Sequence, residues 1–154
     1  MENIATFVAE DEDIPHYLFY SLYAGENKDK ILGNSNYSAV YDIDRESLFI
    51  RITDQFRVLM RSRTDIANIG IIYDEENYIF NDGADRINPN ISPDTLHWVR
   101  ETKQAVGGVS LSASHVQNLV ADDYRWVITL SRVIRNPYTN ERQGLFFIDL
   151  NYDQ

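Results

Sequence analysis

The stretch YRWVITLSRVIRNPYTNERQGLFFIDLNYD, from Tyr124 to Asp153, decides the fold of this chain. Two runs rich in β-branched, aromatic and aliphatic residues flank a polar break at Asn136–Glu141, a pattern typical of a β-hairpin with a longer loop. Apolar side chains alternate onto both faces of each run. A strand that is apolar on both faces is covered on both sides. The stretch therefore predicts two central strands of a sheet, which the rest of the chain must cover.

Helical patterns come first in the chain. Residues 2–24 place apolar side chains near a 3.6-residue period and predict helix, whereas residues 26–43 predict a loop with a short helix. Asp44–Arg63 is the clearest helix, with Asp44 as its N-terminal cap. Its apolar stripe consists of Leu48, Phe49, Ile52, Phe56, Leu59 and Met60. This part of the chain therefore predicts helical cover for the sheet.

A second hairpin and a further helix follow. Ile66–Tyr73 has the composition of a buried strand, and Tyr78–Asn81 begins the return strand after a turn. Ser92 is suited to cap a helix in which Pro93 takes the first position and an acid comes next. The glycine pair at Gly107 predicts the end of that helix.

The rest of the middle region predicts only a short edge strand and a connector. Val109–Ser114 alternates as VSLSAS, which is typical of an edge strand with one solvent-exposed face. Residues 115–123 predict a connector. No linker rich in glycine and proline divides the 154 residues. The sequence therefore predicts a single domain over 1–154, with a helical region at 1–63 and a sheet region at 64–154.

Composition and motifs exclude several function classes. The net charge of −10 repels phosphate backbones, so we expect no nucleic-acid partner. Cysteine is absent, which removes disulfides, thiolate metal sites and cysteine nucleophiles. No nucleotide-binding, hydrolase or zinc-protease motif occurs, and His16, His97 and His115 are scattered. The sequence predicts no catalytic residues, no metal and no cofactor.

Two charged residues lie inside apolar strand patterns. Asp149 lies within LFFIDL, and Arg132 lies within ITLSRVI on the adjacent strand. A buried charge needs partners. Asp149 either lines a cavity or bonds to a backbone group or an arginine, and the two residues pair if the register allows it.

Aromatic residues are the other candidates for a binding site. Trp98, Tyr73, Tyr124 and Trp126 have the chemistry of the walls of a small-molecule pocket. The alternative for each is an ordinary core aromatic. We predict a ligand site from these four residues together with Arg132 and Asp149.

Four segments carry a resemblance to a known family. They are Ile66–Asp74, Trp98 in its helix between hairpins, Val127–Ile134 and Gln143–Leu150, the last of which is similar to the family's G-v-l-x-i-D-i strand. The chain resembles the extracytoplasmic Cache (PAS-like) sensor domain of YesM-type sensor histidine kinases of Gram-positive bacteria. The resemblance implies an α+β fold with an antiparallel sheet of about five strands and a long N-terminal helix packed on it.

The resemblance also implies a function without catalysis. Such a domain lies outside the cell membrane, between two membrane helices of a parent receptor that works as a homodimer. A small ligand such as a sugar or an organic acid, or an extracellular binding protein, shifts the terminal helices and controls a cytoplasmic kinase. Amino-acid-binding relatives carry an R-x-W-Y element, of which the run Leu96–Val99 keeps only Trp98. This departure argues against an amino acid as ligand.

Two other functions compete with the sensor hypothesis. The first is a small soluble enzyme that uses acidic cleft residues such as Asp149. The second is a PAS-like dimerisation module without ligand, which pairs through the Asp44–Arg63 helix.

Overall fold

The computed structural model describes residues 35–73, 77–81, 86–121, 123–136 and 138–152, so the helix predicted at residues 2–24 lies outside the described residues. In the part of the chain that is described, no helix is long and apolar enough to cross a membrane. The elements are α1 (Ser35–Ser62), β1 (Ile66–Tyr73), β2 (Asn77–Phe80), a 3-10 helix (Pro93–Thr95), α2 (His97–Gln104), β3 (Val109–Leu111), β4 (His115–Val116), β5 (Trp126–Arg135) and β6 (Arg142–Asn151).

The strands form one antiparallel sheet in the order β2-β1-β6-β5-β3, and β4 pairs with the first two residues of β5. The predicted hairpin of β5 and β6 forms the middle of this sheet, and β3 is an edge strand, as expected. The path of five strands confirms the predicted sheet. The additional strand β4 lies in the predicted connector, where its two residues pair with Val127 and Trp126.

Each face of the sheet carries its own apolar cluster. The α1-face cluster joins Ile52 and Phe56 of α1 to the sheet, and the rings of Phe56 and Phe146 lie 6.0 Å apart. The α2-face cluster joins Trp98 and Val99 of α2 to the opposite face. Because side chains alternate along a strand, neighbouring residues of β6 supply both clusters. This explains why four consecutive residues of β6, Leu145 to Ile148, are apolar.

The main helix is longer than predicted. It begins at Ser35, so Asp44 lies inside the helix and is not its N-terminal cap. Neither glycine nor proline occurs between Gly33 and the end of α1, and nothing in the sequence therefore interrupts the helix at residue 44. Residues 35–43, within the segment expected to form a loop with a short helix, belong to α1, whereas residues 26–34 lie outside the described residues.

The helix predicted after Ser92 is divided into two pieces. Pro93–Thr95 forms a 3-10 turn, and extended Leu96 separates it from α2. The Ser92 side chain makes no capping bond; instead the Thr95 hydroxyl donates to the Ser92 carbonyl at 2.6 Å. After α2, Gly107 and Gly108 have φ angles of 83° and 68°, a backbone conformation that is unfavourable for residues with a side chain. The two glycines lead the chain into β3.

Gly70 makes room for an aromatic ring on the α2 face. A Cβ atom at this position would lie 2.8 Å from two ring carbons of Phe147 and 3.2 Å from the Ile79 carbonyl oxygen. Gly70→Ala is therefore expected to lower the free energy of unfolding by about 1 to 3 kcal/mol, because the ring must move within a packed core. Urea denaturation of the two proteins measures this difference. An equally stable alanine variant would contradict the packing.

Candidate functional site

Asp149 is the centre of a buried polar network on the α2 face. Its side chain is 2% exposed. Thr129 of β5 donates its hydroxyl to Oδ1 at 2.7 Å, and Asn68 of β1 donates its amide to Oδ2 at 3.0 Å. Asp149 lies directly opposite both residues in the sheet, so three adjacent strands build the site.

The network continues from Asp149 toward the surface. His115 Nε2 lies 2.9 Å from the Thr129 hydroxyl oxygen, and the Thr129 backbone N–H donates to the Ser112 hydroxyl at 2.9 Å. The ring of His115 meets the ring of His97 edge to face, with centroids 5.0 Å apart. Because His115 is half-buried and His97 is exposed, the network leads from the sheet interior to solvent.

Burial governs the protonation of Asp149. Desolvation raises the pKa of its carboxyl to about 6, against an ordinary value of 3.8, although the hydrogen bonds from Thr129 and Asn68 pull the pKa down. The carboxyl therefore changes charge about one pH unit below neutrality. Such perturbed groups cluster at functional sites.

The neighbouring histidine favours its neutral form. Burial and the charge of His97 lower the pKa of His115. A neutral imidazole nitrogen either donates or accepts, depending on its tautomer. With Asp149 ionised, Thr129 donates to the carboxylate and accepts from His115. With Asp149 protonated, the carboxyl can donate to Thr129, which then donates to His115.

Trp98 lies in the core near this network. Its side chain is 3% exposed, and its ring centroid lies 5.1 Å from that of Phe147, which precedes Asp149 by two residues on the same face of β6. The Trp98 carbonyl accepts the hydroxyl of Thr102 at 2.6 Å, and that hydroxyl also bonds to the hydroxyl of Ser131. The predicted site residues Trp98 and Asp149 thus occupy the same side of the sheet.

The other predicted site residues lie elsewhere. Arg132 is directly opposite Phe146 and shares its α1-side face, whereas Asp149 is opposite Thr129, so the possible Arg132–Asp149 pair does not form. Tyr73, half-buried at the end of β1, packs against the α1-face cluster. Tyr124 and Trp126 near the start of β5 are 60% and 52% exposed.

Sequence reasoning missed Asn68, Thr129 and His115. One signal was present, since Asn68 interrupts the apolar run IANIGIIY. Finding Thr129 required the register of the β5–β6 hairpin, which depends on the geometry of its loop. Within the described residues, no group of three or more histidine, aspartate or glutamate side chains could hold a metal ion.

No protein-family model matches the sequence. No curated protein sequence matches it either. Solved structures do match. The ligand-binding domain of the Campylobacter jejuni chemoreceptor Tlp3 in complex with L-valine has a TM-score of 0.55 and 12% identity, covering 91% of this chain and 56% of that chain. The ligand-binding domain of the Pseudomonas fluorescens chemoreceptor CtaA, in complex with L-isoleucine, has a TM-score of 0.51 and 11% identity, covering 97% of this chain and 57% of that chain.

The chain thus spans little more than half the length of these chemoreceptor domains. The similarity concerns the arrangement of a helix on an antiparallel sheet, and it confirms the predicted fold class. The chain has the α+β fold of chemoreceptor sensory domains of the Cache (PAS-like) type.

Proposed function

We propose that this chain is the extracytoplasmic, ligand-sensing domain of a membrane receptor and has no catalytic activity of its own. The observation that carries the proposal is the fold, because the similar solved structures are sensory ligand-binding domains and not enzymes. The buried network around Asp149 supports it, since a few convergent polar groups in an apolar surround are typical of a small-molecule site.

The chemistry of the network favours a ligand that donates hydrogen bonds. The similar domains were solved with L-valine, L-isoleucine and L-serine. In this chain the run Leu96–Val99 has no arginine beside Trp98 for a ligand carboxylate, whereas Asp149 can accept a hydrogen bond from a ligand donor. We therefore propose a small ligand with hydroxyl or ammonium groups, such as a sugar or an amine, that enters from the His115 side.

The sheet offers a route for the signal. Asn68 and Asp149 face the network, and the next residues, Ile69 and Ile148, face the opposite side and belong to the same cluster as Ile52 of α1. A ligand that prefers one arrangement of β1 and β6 would therefore bias the position of α1. The proposed parent is a dimeric histidine kinase of the YesM type, and an extracellular binding protein is the alternative stimulus.

A ligand screen tests this proposal. The domain is heated with sugars, amines, amino acids and organic acids, and calorimetry then measures the dissociation constant of each compound that raises the melting temperature. A ligand at about 100 times its dissociation constant stabilises the fold by roughly 2.7 kcal/mol. Thr129→Val is expected to weaken binding about tenfold or more, because it removes a hydroxyl from the network.

Thr139→Val is the matched control, because Thr139 is exposed in the loop between β5 and β6. This variant is expected to bind as the wild type does. The proposal is wrong if no compound binds, or if Thr129→Val weakens the binding of none of the compounds that bind.

A further inference from the structure

A cavity of about 260 Å³ lies at the other end of the α2 face. The 3-10 helix, α2 and the neighbouring ends of β1 and β6 enclose it. Ile72, Val99 and Leu145 give it an apolar wall. The volume is slightly below the roughly 300 Å³ at which ligand pockets begin, so it suits a small metabolite.

Gln143 lines this cavity with an unpaired amide. The side chain is 7% exposed, yet neither Oε1 nor Nε2 has a hydrogen-bond partner. A buried amide without partners is costly, and such groups are rare in folded proteins. The vacant hydrogen-bonding capacity of Gln143 therefore points to a group that the cavity receives.

An irregularity in the sheet places Arg142 on the same face as Gln143. Ile134 pairs with Gly144 and Arg135 pairs with Arg142, so Gln143 is an extra residue on β6. Such β-bulges occur next to functional sites, where they turn a side chain away from the regular alternation. Here Arg142 and Gln143 both line the cavity, although they are consecutive in a strand.

The rim of the cavity is charged. Lys103 of α2 bonds to Asp94 of the 3-10 helix with an N–O distance of 2.7 Å, which joins the two helices at the rim. Arg142 is exposed, and its side chain makes no hydrogen bond or ion pair to any residue that the structure describes. Its guanidinium is therefore available to a carboxylate, which it can bind with two parallel hydrogen bonds.

We propose that this cavity is a second ligand site, which binds a small hydroxycarboxylate. The ligand carboxylate accepts hydrogen bonds from Arg142 and from Gln143 Nε2, and the ligand hydroxyl donates to Gln143 Oε1. The site is separate from the network, because Gln143 and Asp149 are six residues apart on β6, a span of roughly 20 Å. The inference therefore does not depend on the proposed function.

Calorimetry with glycolate, L-lactate and L-malate tests the site, with lactamide as the uncharged comparison. At least one acid is expected to bind, and lactamide is expected to bind more weakly or not at all. Arg142→Gln and Gln143→Met are each expected to raise the dissociation constant about tenfold or more, the loss of one charge-assisted hydrogen bond.

Arg135→Gln is the matched control, because it removes the same charge at the same end of the hairpin. The guanidinium of Arg135 already donates to the Asn140 carbonyl and is therefore not available to the ligand. The variant is expected to leave the dissociation constant unchanged. Binding of none of the three acids, equal binding of lactamide, or full binding by Gln143→Met overturns the proposal.

The free protein provides a second readout. Because Gln143→Met replaces an unpaired buried amide by an apolar chain of similar size, it is expected to raise the melting temperature of the ligand-free domain. A lower melting temperature would mean that the amide already has a partner inside the fold, and this result also overturns the proposal.

Discussion

Replacing Trp98 by alanine is expected to lower the free energy of unfolding by about 3 to 5 kcal/mol, the usual cost of removing a buried tryptophan side chain. Trp98 is 3% exposed and packs on Phe147, whose ring in turn covers Gly70. The truncation leaves a cavity in the centre of the α2-face cluster. The surrounding strands cannot close this cavity, because they also carry the α1-face cluster.

Urea denaturation measures this effect, with two control variants. Trp98→Phe retains an aromatic ring and is expected to lose less stability than the alanine variant. Arg100→Ala removes an exposed side chain from the same helix and is expected to change the free energy of unfolding by less than about 0.5 kcal/mol. A loss below about 1 kcal/mol for Trp98→Ala would contradict the buried position of the ring.

This structural role affects how binding experiments are interpreted. A ligand that no longer binds Trp98→Ala would not by itself place Trp98 in a ligand site, because the same variant damages the core. Thr129→Val and Gln143→Met are more selective probes, since each changes polar groups while keeping most of the side-chain volume. The prediction that Trp98 contacts a ligand stays a prediction.

Replacing Asp149 by asparagine is expected to raise the free energy of unfolding by up to about 3 kcal/mol at pH 7. The carboxyl has a folded-state pKa of about 6 and an ordinary value of 3.8, so the folded state holds its proton more tightly than the unfolded state. Stability therefore falls as the pH rises from about 4 to about 6, and the loss is complete above pH 6. Each pKa unit corresponds to about 1.4 kcal/mol.

Asparagine reproduces the hydrogen bonds of the protonated acid. Its amide can donate to Thr129, and its carbonyl can accept from Asn68. Denaturation of wild type and Asp149→Asn at a series of pH values from 4 to 8 measures the effect. The two proteins should be similarly stable near pH 4 and should diverge as the pH rises. Asp54→Asn, at an exposed position on α1, is the control and should parallel the wild type.

The opposite result would be informative. If Asp149→Asn is less stable than wild type at pH 7, the ionised carboxylate is held by more donors than Asn68 and Thr129 supply. If the difference between the two proteins does not vary with pH, the carboxyl does not titrate in this range, and the raised pKa assigned to Asp149 is wrong.

The sequence predicted the sheet well because its signals were local. The hairpin of β5 and β6 follows from two apolar runs around a polar loop, and β1 follows from its buried composition. The predicted beginning of α1 was wrong. Asp44 has the side chain of a helix cap, but no residue of α1 before it interrupts the helix. Caps depend on the conformation of the preceding residues, which periodicity does not reveal.

The candidate site was less predictable, because its contacts join residues distant in the chain. The burial of Asp149 was predictable from its apolar neighbours. Its partners were not, because the β1–β6 register shifts between Ile66 and Asn68. The position of Arg132 on the opposite face also follows only from the register. Likewise, the extra residue Gln143 has no sequence signature of its own.

The most direct test of the central claim is a nuclear magnetic resonance titration of the labelled domain with the compounds found in the ligand screen. We expect one small ligand to shift the backbone amide signals of His115, Thr129 and Asp149 in a saturable way. Smaller shifts are expected at Ile52 and Phe56 of α1, across the sheet. A screen without any binding compound would contradict the proposed sensor function, as would binding compounds that all leave these signals unchanged.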